Sequence, residues 1–132
     1  RSYITGAAVR IDERAGILRY ALAGHNAPIL LKTAEGVNEI ELPAPPISNW
    51  MPEHKYIERE MPFSKGDILA LLTDGITECA NSAGELFGIE RVESVLHQSY
   101  NAQDFIGKLR SALSVFCGGK FSDDITAIAF DL

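Results

Sequence analysis

Long hydrophobic stretches are missing from this 132-residue sequence. Its longest uninterrupted aliphatic run is Ile68 to Leu72, against the roughly 20 apolar residues needed to cross a bilayer, so no membrane span is expected. Basic charge is also scarce. Twelve Lys and Arg against 18 Asp and Glu give a net charge of −6, and no basic stripe is present to displace counterions from phosphates, so nucleic acid is not an expected partner. The two cysteines, Cys79 and Cys117, stand 38 residues apart and form no CxxC pair. That pattern predicts a reduced, cytoplasmic setting with two isolated thiols, a disulfide remaining possible but without support. Cys79 follows Glu78, with no base beside it to lower its pKa, which argues against a thiol nucleophile. A Gly-x-Ser-x-Gly elbow, a His/Cys set spaced for zinc and internal repeats are all lacking. The chain opens Arg1-Ser2-Tyr3-Ile4 without an initiator Met or a charged-then-apolar leader, and is expected to be a piece of something longer.

What is present suits one compact domain: 46% hydrophobic and 23% charged residues, a balance that favours a folded chain over a disordered one. Val9, Ile11, Leu18, Tyr20 and Leu22 alternate with Arg10, Asp12 and Arg19, the period of half-buried strands, around a turn ending at Gly16. Pro28 to Leu31 and Val37 to Leu42 flank Thr33-Ala34-Glu35-Gly36 and predict a second hairpin. Pro43, Pro45, Pro46 and Pro52 then gather four of the six prolines, with the sole tryptophan, Trp50. This segment cannot join a sheet interior and is expected to be a loop or flap over Pro43 to Lys55. Alternation resumes over Tyr56 to Met61, and Ile68 to Leu72 is apolar throughout, predicting a central strand buried on both faces. Two helices follow, one beyond Gly88 and one capped by Asn101 and stopped at Gly118-Gly119. A strand from Ile125 to Phe130 closes an α+β order.

Carboxylates offer the most chemistry. Thr73-Asp74-Gly75 stands directly after the buried strand, where Asp74 is held at a rigid strand end and Gly75 is expected to let the chain turn away. Ser122-Asp123-Asp124 leads into the last strand. Because neighbouring strand residues point to opposite faces, only one of Asp123 and Asp124 is expected to meet Asp74. Like charges converging there require a cation, and oxygen ligands favour Mg²⁺ or Mn²⁺. The turn Ala23-Gly24-His25-Asn26-Ala27-Pro28 presents His25 and Asn26 as further polar candidates.

In order along the chain, Gly24-His25-Asn26-Ala27-Pro28, Lys65-Gly66-Asp67-Ile68-Leu69, Leu72-Thr73-Asp74-Gly75-Ile76-Thr77-Glu78, Glu85-Leu86-Phe87-Gly88 and Asp123-Asp124-Ile125-Thr126 resemble the PPM-type metal-dependent serine/threonine protein phosphatases, in their bacterial SpoIIE-like branch. The resemblance covers nearly all of the chain. It implies part of an α/β/β/α sandwich of two antiparallel sheets with helices outside, residues 1–132 forming the C-terminal part of the domain. It also implies two Mn²⁺ or Mg²⁺ ions, with Asp74 and Asp123 as metal ligands, Asp124 a neighbour of undecided role, and His25 and Asn26 bordering the substrate. The reaction implied is attack of metal-activated water on a phosphoserine or phosphothreonine, in line, with no protein nucleophile.

The chain departs from the family pattern in two places. Nothing before Tyr3 supplies the family's upstream aspartate and Gly-Asp elements, and Pro45-Pro46-Ile47-Ser48-Asn49-Trp50 replaces the usual Pro-Leu-Gly. The expected activity of the intact parent is therefore dephosphorylation of a bacterial regulatory protein, such as an anti-sigma factor antagonist in a partner-switching circuit, with the isolated piece inactive. The alternative is a non-catalytic, phosphatase-like module that binds a protein partner. Exposed sheet edges further predict self-association of the piece into a homo-oligomer.

Overall fold

The computed structural model describes residues 2–121 and 123–132; Arg1, and Ser122 of the acidic turn, lie outside the described residues. In chain order the elements are β1 (Tyr3–Ile4), β2 (Gly6–Asp12), β3 (Ile17–Ala23), β4 (Ile29–Thr33), β5 (Gly36–Ile40), β6 (Ile47–Ser48), β7 (Arg59–Pro62), β8 (Ile68–Leu72), α1 (Asp74–Thr77), α2 (Ile89–His97), α3 (Ala102–Cys117) and β9 (Ala127–Asp131). They fall into two compact units, Arg1–Asn26 with Glu41–Ser64 and Ala27–Ile40 with Lys65–Leu132. Helices combined with antiparallel sheets make the chain α+β, as its pattern of elements predicts.

The first unit is built on the antiparallel sheet β2-β3-β7. Its first hairpin pairs Gly6 with Ala23 through to Asp12 with Ile17. The turn is closed by Asp12, whose Oδ1 accepts the Ala15 N–H at 3.0 Å, and by Gly16 at φ 64°. Across the next ladder Arg19 stands opposite Glu60 and bonds it at 3.1 Å. The strand expected from Tyr56 begins only at Arg59, and Pro62 is tolerated at its end because β7 is an edge strand. The proline segment stays out of this sheet. Its residues Ile47 and Ser48 instead pair with β1, and Trp50 meets the Tyr3 ring edge-on, centroids 6.4 Å apart.

In the second unit the order is β5-β4-β8-β9, and α2 and α3 pack on one face. Leu30, Ile68, Ala70 and Leu72 meet Val92, Leu96, Phe105, Leu109 and Leu113 in a single core. On the other face of β8 Leu69 is fully buried and Leu71 half-buried, so the expected burial of both faces holds for Leu69 and only in part for Leu71. α3 begins with a reciprocal cap: Asn101 Oδ1 accepts the Asp104 N–H at 2.8 Å, and Asp104 Oδ2 accepts the Tyr100 N–H at 3.0 Å. It ends at Gly118 in the left-handed conformation.

Two expectations are corrected. The last strand begins at Ala127 and not at Ile125, because the Thr126 N–H is donated to a side chain, Thr73 Oγ1, and not to a ladder carbonyl. The cysteines are not isolated thiols. Cys79, just beyond α1, and Cys117, the last residue of α3, form a disulfide with Cα atoms 6.4 Å apart, both buried in the core. Sequence spacing hides this pair because α3 brings its C-terminal end back to the segment that follows α1.

Candidate metal centre

Thr73 is extended, at φ −100° and ψ 156°, and Asp74 opens α1 directly beyond β8. The Thr73 side chain does not cap its own helix. Its hydroxyl faces β9, accepting the Thr126 N–H at 3.0 Å and donating to the Thr126 carbonyl at 3.4 Å, while the Thr73 N–H donates to that same carbonyl at 3.0 Å. This clasp prolongs the β8–β9 ladder past its last regular pair, Leu72 with Ala127. Nothing local in Leu72-Thr73-Asp74-Gly75 or Asp123-Asp124-Ile125-Thr126 marks the two threonines as partners.

Gly75 is buried, and its φ is not among the positive ones. Its requirement is room, not an unusual backbone angle, which corrects the expectation that glycine serves a sharp turn here. A Cβ at this position would overlap the Asp124 carbonyl oxygen, lie 3.3 Å from the Asp124 carbonyl carbon and 3.6 Å from Asp123 Cβ. The turn bearing Asp74 therefore rests directly on the Asp123–Asp124 backbone, joining segments 49 residues apart in sequence.

The two carboxylates differ in their surroundings. Asp74 is half-buried, and no donor among the described residues reaches its side chain, whereas Asp123 is exposed and its Oδ1 accepts the Asp124 N–H at 2.7 Å. A groove of about 760 Å³ is lined by Ile76, Leu109, Leu113 and Phe121 together with Arg110, Asp123 and Asp124. Carboxylate oxygens suit a hard divalent ion that keeps several waters and do not suit zinc. Among the described residues no group of three or more His, Cys, Asp or Glu converges to hold an ion. Asp74 and Asp123 offer the oxygen donors that such an ion takes.

His25 and Asn26 lie on the loop after β3, in the first unit, His25 half-buried and Asn26 exposed. The preceding Gly24 adopts φ 57° and donates its N–H to the Ala44 carbonyl at 2.9 Å. A Cβ there would stand 2.8 Å from Pro46 Cβ. The proline segment is thus seated on the turn that presents both side chains. Two other carboxylates are held below the usual range by ion pairs, Glu85 by hydrogen bonding and charge from Arg91 and Asp104 by its bond to Lys108. Both serve surface structure.

The family model described as Stage II sporulation protein E (SpoIIE) matches residues 1–132. Protein IcfG of Synechocystis sp. is 28% identical over 121 residues, which cover 90% of this chain and 19% of that protein. The SiaA-PP2C domain of Pseudomonas aeruginosa superposes with a TM-score of 0.80 at 24% identity, over 97% of this chain and 51% of that one. The phosphatase domain of SpoIIE from Bacillus subtilis, presoaked with Mn, gives a TM-score of 0.74 at 16% identity, over 97% of this chain and 56% of that one. The chain therefore spans about half of the solved phosphatase domains whose fold it shares and about a fifth of its curated relative.

Proposed function

Because this chain belongs to the SpoIIE family, we propose that it forms the C-terminal part of a Mn²⁺- or Mg²⁺-dependent phosphatase domain that hydrolyses phosphoserine or phosphothreonine on a regulatory protein, such as an anti-sigma factor antagonist. The observation that carries this reading is the seating of Gly75 against Asp123 and Asp124, which gathers the family's two matching acidic motifs at one place. Presoaking of the B. subtilis SpoIIE domain with Mn agrees with the oxygen-only donor set.

In this reading Asp74 and Asp123 are the metal ligands contributed by this chain. A divalent ion bound to them supplies positive charge that polarises phosphoryl oxygens and lowers the pKa of a water. The Thr73–Thr126 clasp keeps the two carboxylate-bearing turns from drifting apart. His25 and Asn26 are the substrate-side groups, presented by a turn pinned through Gly24.

The test is phosphate release by the full-length protein from a phosphoserine protein substrate with Mn²⁺. Release is expected, and Asp74→Asn is expected to reduce it by more than the ~10–100-fold that outer-sphere partners of a metal typically carry. No release by the unaltered protein would overturn the reading. A second reading, a phosphatase-like module that binds its partner without catalysis, is favoured by the lack of a third converging ligand among the described residues. Partner binding without phosphate release would select it.

A further inference from the structure

Asp74 stands five residues before Cys79, and Asp123 six residues after Cys117. At their other ends both segments run into the neighbouring strands β8 and β9, fastened by the Thr73–Thr126 clasp. The result is a closed circuit: β8, Asp74, Cys79, the disulfide, Cys117, Asp123, β9, and back across the ladder. We propose that the Cys79–Cys117 disulfide is a redox-operated positioning link that holds the two carboxylate-bearing turns together and so sets their affinity for a divalent cation. The inference rests on the reading of Asp74 and Asp123 as metal ligands.

Opening the link removes the covalent tie between the two turns, while the segment after Asp74 keeps its bonds from the Gly88 N–H to the Thr77 carbonyl at 2.9 Å and from the Phe87 N–H to the Cys79 carbonyl at 2.8 Å. Gly118 and Gly119, at φ 61° and 72°, follow Cys117 directly, and glycine backbone just beyond the link is the least restrained once the bond is open. α1 is a single turn of four residues, too short to hold itself, since an isolated turn has its nucleation cost unrecovered. The surrounding core does not depend on the bond: Val92, Leu96, Phe105 and Leu109 are each almost wholly buried by apolar packing. Reduction is therefore a local loosening, not unfolding.

The cysteines also stay close when reduced. Phe87 donates its N–H to the Cys79 carbonyl at 2.8 Å, and its ring meets Phe116, the neighbour of Cys117, edge-on at 5.3 Å. Cys117, the last helical residue of α3, is the more exposed of the two buried cysteines, and local opening of the helix end is the route for a reagent. In the reducing direction a dithiol thiolate attacks one sulfur, the S–S bond breaks through a mixed disulfide, and a second attack leaves two cysteine thiols and an oxidised cyclic reagent. Two electrons and two protons pass to the protein. A small-molecule disulfide such as oxidised glutathione reverses the exchange and is itself reduced to two thiols.

The test titrates Mn²⁺ into the chain, following free Mn²⁺ by electron paramagnetic resonance, after oxidation with glutathione disulfide or after reduction with anaerobic removal of the reductant. The Kd is expected to rise about tenfold on reduction, the scale carried by groups that orient metal ligands, with far-UV circular dichroism unchanged. Cys79→Ala and Cys117→Ala should each bind as the reduced chain does and lose the response to oxidant; if either variant fails to fold, the reduced unaltered chain carries the comparison. Equal Mn²⁺ affinity in both redox states would overturn the inference while leaving the metal reading intact. No Mn²⁺ binding in either state would overturn both, and two free thiols by peptide mapping after oxidation would overturn the link alone.

Discussion

At the scale of single residues, the site is defined by what glycine omits. Gly75 lies so near the Asp124 carbonyl that any side chain must push the Asp123–Asp124 segment away. Gly75→Ala is therefore expected to destabilise the chain by about 1–3 kcal/mol, the usual cost of overpacking, seen as a lower urea midpoint with an unchanged slope. An unchanged midpoint would show that the two segments do not touch. The glycine was legible in the Thr-Asp-Gly motif, but its reason was not, because a close approach between residues 49 positions apart leaves no local mark. Thr73 and Thr126 are similar: each looks like an ordinary strand residue until its partner is known.

Among the elements, α3 shows how local chemistry and tertiary packing divide the work. Its cap joins Asn101 to Asp104, and Lys108 Nζ donates to Asp104 Oδ2 at 2.8 Å. The Lys108 bond, with the Tyr100 N–H second, holds the Asp104 carboxyl below its ordinary value. A folded pKa below the unfolded one means the carboxylate's contribution is complete above about pH 4, the ordinary aspartate range, and is lost as pH falls through the lower folded value. Urea midpoints measured from pH 7 down to about 2.5 are expected to fall less in Asp104→Asn than in the unaltered chain. Identical acid limbs would contradict the assignment. α3 and the hairpins were legible because their apolar periods run for many residues and their caps are local. α1, with four residues, and β6, with two, were not, since elements so short draw their definition from partners elsewhere in the chain. The disulfide was hidden for the same reason.

For the whole molecule, the chain divides into two units, with His25 and Asn26 in one and Asp74 and Asp123 in the other. No helix among the described residues is long and apolar enough to cross a membrane, as the absence of long apolar runs predicts. The family was legible because five short motifs recur in one order, a signal no single motif carries. The number of ions was not legible, because ligand count depends on groups that only a complete fold brings together, and this chain spans about half of the solved domains it resembles. The central claim is that Asp74 and Asp123 are ligands of one cation. Its most direct test is Mn²⁺ affinity by paramagnetic resonance titration of the unaltered chain, Asp74→Asn and Asp123→Asn. The account predicts measurable binding that either substitution weakens by ~tenfold or more; binding equally tight in all three proteins would contradict it.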